Sequence, residues 1–262
     1  MTSKNHVLVT GGTGKTGRRI LAGLKARGVT VRVGSRSAEP RFDWTDRATW
    51  QAALTDIDSV YIAFQPDLAV PGAIETIRAF TELAVSCGVS RLVLLSGRGE
   101  EDAQQCERVV QDSGVTWTIL RASWFFQNFS ESFLIGSILS GAVYLPAGDV
   151  KEPFIDAEDI AAVAIAALTE DRHAGQLYEL TSPRLLTFAE TVGEIAVAIG
   201  RPIPYTQISP EDYVAAMEAE QTPADMVWLV NYLFTTVLDG RNAFVTDGVE
   251  RALGRKPRDF SE

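Results

Sequence analysis

Apolar positions along this chain gather into short runs that alternate with longer stretches of helical spacing. His6 to Thr10 is a compact β-rich run, followed by a helical pattern through about Arg27 and a second β-rich run from Thr30 to Gly34. These segments predict one β-α-β unit. Asp58 to Phe64 reads as a buried strand, Pro71 to Cys87 as a helix and Arg91 to Ser96 as the next strand. Glu101 to Ser113 then reads as a helix and Thr116 to Arg121 as a strand. Short apolar strands separated by helices predict a doubly wound parallel sheet, an α/β fold of the Rossmann kind, whose ligands bind beyond the carboxyl ends of the strands.

After Ser123 the pattern is less regular. Trp124, Phe125, Phe126 and Phe129 crowd together, a turn-rich stretch runs from Gly141 to Pro153, and a helix is opened by Asp156 and Asp159. Gln176 to Leu180 predicts a strand. Thr187 to Ile199 predicts a helix with Thr187 as its cap and Gly200 as its stop. Ala224 to Leu238 is apolar over most of a helical circumference, which suits packing in a core ahead of lining a pocket or a dimer interface. The expected division is a Rossmann domain over residues 1–150, with returning segments at 151–180, and a smaller, mostly helical C-terminal α/β lobe over 181–262.

The 262 residues suffice for one large domain with such a lobe, and 46% hydrophobic against 22% charged residues is the balance of a folded globular protein. The formal charge of -10, from 34 acidic and 24 basic residues, opposes a polyanion, so no nucleic-acid partner is expected. No apolar leader precedes the first strand, and the longest apolar run, Ile160 to Leu168, is too short to span a bilayer. A cytoplasmic protein without membrane attachment is expected, with a homodimer left open. Cys87 and Cys106 have no His or Cys at ligand spacing, so they read as idle reduced thiols and no metal is expected.

The candidate chemistry begins at Gly11-Gly12-Thr13-Gly14-Lys15-Thr16-Gly17, between the first strand and its helix. Glycines at 11, 14 and 17 allow a tight turn, close approach to a pyrophosphate and a helix whose first amides face the anion. Gly11, Thr13, Gly14, Lys15, Thr16 and Gly17 are the candidate pyrophosphate residues. A nucleotide-hydrolysing P-loop would need a glycine where Val9 stands, so that reading fails. A glycine turn that binds nothing remains the bland alternative. At the end of the second strand, where an NAD site carries an acid for the ribose, the chain has Ser35-Arg36-Ser37. A guanidinium and two hydroxyls suit a 2′-phosphate, so NADP(H) is the expected cofactor, against a merely solvated arginine. Asp43 fits either an adenine contact or a turn.

The proton chemistry of short-chain dehydrogenases uses a Tyr-x-x-x-Lys pair, and none of the six tyrosines has Lys four residues on. Ser96, at a strand end beside Gly97-Arg98-Gly99, is the one candidate for positioning substrate or cofactor, with a strand-end hydrogen bond as the alternative. His6 and His173 are the only histidines, one at the first strand's start and one in a polar turn, and neither is expected at the site.

Several segments together resemble the NmrA-like atypical short-chain dehydrogenases, in the ergot-alkaloid branch that holds festuclavine synthase and agroclavine dehydrogenase. They are the glycine turn, Gly34-Ser35-Arg36-Ser37 with Arg41-Phe42-Asp43-Trp44, Arg91 to Ser96, Leu120 to Phe129, and Pro153 to Ala161. The resemblance covers most of the chain, although Ala122 stands where relatives often have Pro. It implies NADPH as hydride donor and a substrate pocket between a Rossmann domain and a smaller lobe. In that branch the acceptor is an iminium, whose charge lessens the need for a proton donor. The expected activity is therefore an NADPH-dependent reductase acting on an iminium, quinone or activated carbonyl, with Phe64 and Gln65 beside Ser96 on the nicotinamide side. Trp124, Phe125, Phe126 and Asn128 are the candidate pocket residues, and Tyr144 and Trp228 are weaker ones for which packing is the stronger reading. The rival is a redox sensor that binds NADP(H) without turnover.

Overall fold

The structure is a computed structural model and describes residues 5–262. Its first elements are β1 (His6–Thr10), α1 (Lys15–Ala26), β2 (Thr30–Gly34), α2 (Trp50–Leu54), β3 (Ser59–Ile62), α3 (Ala73–Ser86), β4 (Arg91–Gly97), α4 (Glu101–Gln111) and β5 (Thr116–Ala122). There follow α5 (Ile135–Ser140), β6 (Val143–Leu145), α6 (Ala157–Thr169), β7 (Gln176–Leu180), α7 (Phe188–Ala198) and β8 (Tyr205–Gln207). The last are α8 (Pro210–Ala219), α9 (Ala224–Tyr232) and α10 (Gly248–Leu253). Among the described residues, no helix is long and apolar enough to cross a membrane.

The chain forms two compact units. The first runs through Ala122 and takes back Ala157–Leu180 and Asp247–Arg255. Its sheet is wholly parallel in the order β2-β1-β3-β4-β5-β7, a Rossmann arrangement that reverses direction between β1 and β3. Val7, Leu8 and Val9 are fully buried, as are Val60 to Ile62 and Leu92 to Leu94. Strands covered on both faces need such unbroken apolar runs. α1 and α6 pack together, and so do α3 and α4. α6 is apolar almost all round and is buried almost all round.

Beside β3 an aromatic cluster fixes the loop that follows β2. Phe80 meets Trp44, Trp50 and Phe42 edge-on with centroids 4.9, 5.5 and 5.7 Å apart. The Trp50 indole donates to the Asp43 carbonyl at 2.8 Å and the Trp44 indole to the Ala63 carbonyl at 3.1 Å. The two indoles thus anchor the loop after β2 and the end of β3, and Ala63 lies against Gly11.

The second unit comprises Ser123–Asp156, Thr181–Thr246 and Lys256–Glu262. The parallel pair β6-β8 joins α5, α7, α8 and α9 around Phe129, Phe154, Phe188 and Phe234. Arg184 ties it together, reaching Glu194 at 2.5 Å and Asp259 at 2.7 Å. The expected helix over 224–238 is present, but past α9 it widens into a π-helical turn, Leu233–Val237, where the Leu238 amide reaches back to the Leu233 carbonyl.

The unit boundaries differ from the expected ones. The second unit begins at Ser123 rather than near 150, and Asp247–Arg255 returns to the first. A Cβ on Gly248 would lie 1.9 Å from the Glu179 carbonyl oxygen, so α10 lies directly against β7. A contact between residues so far apart in sequence leaves no local periodicity to read.

Candidate cofactor site

The glycine turn is built from clearances that only hydrogen can satisfy. Gly11 has φ +61°, and a Cβ on Gly17 would stand 2.2 Å from the Gly11 carbonyl oxygen. On Gly12 it would meet Val33 Cγ1 at 2.8 Å. The Gly14 amide closes the turn on the Gly11 carbonyl at 2.9 Å, and the Gly12 amide reaches the Gly34 carbonyl at 3.2 Å. Thr10 joins the neighbouring strand: its hydroxyl donates to the Tyr61 carbonyl at 3.0 Å and accepts from the Ala63 amide at 2.9 Å. α1 then starts after Gly14 with no side-chain cap and no acid in its first turn. That leaves the positive end of the helix for an external anion.

Of the residues expected around the pyrophosphate, Thr13 is exposed and Gly11, Gly14 and Lys15 are half-buried. Thr16 is buried, and its hydroxyl accepts from the Tyr61 phenol at 3.0 Å. Tyr61 is fully buried and its burial pushes the phenol pKa up, which keeps it a neutral donor that needs this partner.

At the end of β2, the Ser35 carbonyl accepts from the Phe42 amide at 2.9 Å and the Ala38 amide at 3.2 Å, which fixes the loop. The Ser35 and Ser37 hydroxyls lie 3.3 Å apart. Arg36 between them is exposed and has no ion-pair partner among the described residues. Asp43 follows its turn reading. It accepts from the Thr45 amide at 3.0 Å, the Thr45 hydroxyl at 2.8 Å and Arg41 at 2.6 Å. The Thr45 bonds lead in holding its carboxyl below the usual carboxylate range. Phe64 packs on Trp44 at 5.1 Å, and the amide of exposed Gln65 lies 3.9 Å from the Cβ position of Gly14. β3 thus delivers Gln65 to the glycine turn.

Ser96 is 4% exposed, and its hydroxyl donates to Glu107 Oε1 at 2.7 Å. Glu107 also receives Arg121 through bonds of 2.8 and 2.6 Å, and Glu179 ties Arg121 to buried Arg98 at 3.3 Å each. Ser96 therefore belongs to an ion network that locks the carboxyl ends of β4, β5 and β7, the strand-end alternative. Beside it, Asp67 and Glu100 lie in the loops after β3 and β4, each perturbing the other's carboxyl. Burial first, then the neighbouring acids, raise the Glu100 pKa well above the ordinary glutamate value. Neither Asp67 nor Glu100 was singled out from the sequence, because two lone acids in different loops give no motif.

Cys106 is buried and its thiol pKa is pushed up to about 12, first by burial, so it stays a protonated thiol. His173 departs from the expected polar turn: it is fully buried, with Nδ1 2.9 Å from the Tyr178 hydroxyl.

In the second unit, Trp124 packs on Phe188 and Phe234 at 5.1 Å each, and Phe126 on Phe260 at 4.8 Å. Phe125 pairs its backbone with Ile155, and Asn128 accepts from the Leu134 amide at 3.3 Å. These four keep partial exposure. Tyr144 is 54% and Trp228 44% exposed, and Trp228 stacks parallel to Tyr232 with centroids 5.4 Å apart.

Comparison with known proteins agrees with this geometry. Residues 11–171 match the NAD(P)H-binding family and residues 101–260 the NmrA-like family. Agroclavine dehydrogenase of Claviceps fusiformis is 32% identical over 98% of this chain and 95% of its own length. An NAD(P)H azoreductase of Xenophilus azovorans is 31% identical over 98% and 96%. An NADPH-dependent quinone oxidoreductase from Escherichia coli, solved with NADPH, superposes with a TM-score of 0.80 at 20% identity, covering 97% of each chain. With an open helix terminus, a glycine turn that admits no side chain and full-length kinship to named reductases, the chain belongs to the NmrA-like family of NAD(P)H-dependent oxidoreductases.

Proposed function

We propose that the protein is an NADPH-dependent reductase of a small electrophile: an iminium, a quinone or an activated carbonyl. Arg36 carries the choice of cofactor. It stands exposed between two serine hydroxyls at the end of β2, where no carboxylate competes for it. A dianionic 2′-phosphate satisfies all three groups, whereas the bare ribose hydroxyl of NADH leaves the guanidinium with water. Gly11, Thr13, Gly14, Lys15 and Gly17, with the Thr16 amide, would hold the pyrophosphate, and Phe64 and Gln65 would border the nicotinamide. NADPH, when bound, supplies a hydride. What this chain adds is orientation and exclusion of water, which suffice when the acceptor is already electrophilic.

Two relatives support the reductase reading, one named for agroclavine and one for azo compounds. The aromatic set of Trp124, Phe125, Phe126, Tyr144 and Trp228 suits a flat or cationic acceptor, and Asn128 adds a polar group. Arg36→Ala tests the cofactor assignment. Losing a charge-assisted hydrogen bond costs about 2 kcal/mol, roughly a thirtyfold rise in NADPH Kd. The NADH Kd should stay within about twofold. Equal weakening of both cofactors, or a wild-type preference for NADH, would overturn it.

A further inference from the structure

α3 and α4 pack side by side, and between them runs a groove of about 630 Å³ that lies wholly within the first unit. Along α3 it is lined at positions 74, 78, 81 and 85, intervals of four, three and four that mark a seam for packing against another helix. Thr81 in that seam is 2% exposed, yet its hydroxyl has no hydrogen-bond partner, an arrangement that is unfavourable unless something outside the groove supplies one. Four charged side chains also line the groove, Arg78 and Glu82 on α3 and Arg108 and Asp112 on α4. All four are exposed, and none makes an ion pair or side-chain hydrogen bond among the described residues. On each helix the cation stands one turn before the acid, the order in which such a pair helps its own helix least. Asp112 is moreover the residue that ends α4, at the negative pole of the helix. These charges are poorly placed to serve their own helices.

We infer that this groove is the contact face for a second copy of the chain, paired about a twofold axis that crosses α3 and α4. β3, β4 and β5 are parallel neighbours, so the right-handed crossovers through α3 and α4 run in the same direction. On both helices the cation therefore precedes the acid along that one direction. A twofold axis reverses the direction, which lays the arginines of one copy toward the acids of the other, and the converse, as in any isologous contact. The face is complementary to itself. Net charge favours the same occupant. The chain carries a formal charge of -10, so two copies repel over most of their surface, whereas two arginines and two acids cancel here. A small anion or cation would meet both signs equally. Four helices packed about the axis cover Ile74, Val85 and Val109, each half-buried in the single chain, and bring groups from outside the chain to the Thr81 hydroxyl.

The test is sedimentation equilibrium of the full chain and of two charge-reversed variants, one combining Arg78→Glu with Arg108→Glu and the other Glu82→Arg with Asp112→Arg. Wild type should sediment as a dimer at about 100 μM, a concentration that nearly fills an interface of micromolar affinity. Each variant alone should be monomeric, its dimer Kd raised at least about a hundredfold by like charges set face to face. Mixed in equal amounts the two variants should pair again, because their faces are once more opposite in sign. That recovery separates lost complementarity from misfolding, since damaged chains do not regain a partner on mixing. A wild type that stays monomeric overturns the inference and leaves the groove to a small ligand. A dimer that both variants retain places the contact on another face and overturns it equally, as does a mixture that stays monomeric.

Discussion

A methyl group on Gly17 would need the space held by the Gly11 carbonyl oxygen, 2.2 Å from its Cβ. Backbone on both sides of that clash cannot rotate away as a side chain can, so the turn itself must move. Gly17→Ala is therefore expected to lose stability by about 1–3 kcal/mol despite the better helix propensity of alanine, which offsets at most about 1 kcal/mol. NADPH binding should weaken with it, and chemical denaturation with and without cofactor measures both effects. An unchanged NADPH Kd would show that the turn does not form the anion cradle. At this scale the sequence was legible where the backbone does the work: the three glycines stand as their spacing requires. It was silent where a hydroxyl bonds a distant element: Thr16 and Ser96 meet Tyr61 of β3 and Glu107 of α4, which no spacing rule connects to them.

Elements with local signals were read nearly to the residue. β1, β2 and β7 have the bounds their apolar runs predict, and Thr187 caps α7 with a reciprocal box: the Glu190 amide donates to its hydroxyl at 3.0 Å, and its own amide donates to the Glu190 carboxylate at 2.7 Å. Thr187→Ala should cost about 1 kcal/mol, with a fall in Tm of roughly 2–4 °C, measured by thermal unfolding. No change in Tm would mean that packing of Phe188 and Val192 alone holds that helix. The π-helical turn after α9 was not legible, since the apolar stripe of Val227, Val230, Phe234 and Leu238 is compatible with either winding.

For the whole molecule, the parallel sheet and the return of α6 and β7 were legible from alternation, whereas the start of the second unit at Ser123 and the return of α10 were not, because no local pattern marks them. The acid pair belongs to this class, since Asp67 and Glu100 perturb each other only when β3 and β4 lie side by side. Its stability signature has a definite sign. A carboxyl raised by folding binds its proton more tightly in the native state, so its contribution is full below the ordinary glutamate pKa, about 4.3, and is lost as pH rises through the raised value. The stability of wild type relative to Glu100→Gln should therefore fall from acid toward neutral and alkaline pH, as read from denaturation midpoints. A difference that is flat with pH would contradict a raised Glu100.

The central claim is hydride transfer from NADPH to a small electrophile. Its most direct measurement is mass analysis of the product after incubation with NADPH deuterated at the transferable position and a cyclic iminium. One deuterium per product molecule, with NADPH preferred over NADH, is the predicted result. Tight binding of both NADPH and NADP with no labelled product from any iminium, quinone or carbonyl probe would contradict it and would identify a sensor of the cofactor's redox state.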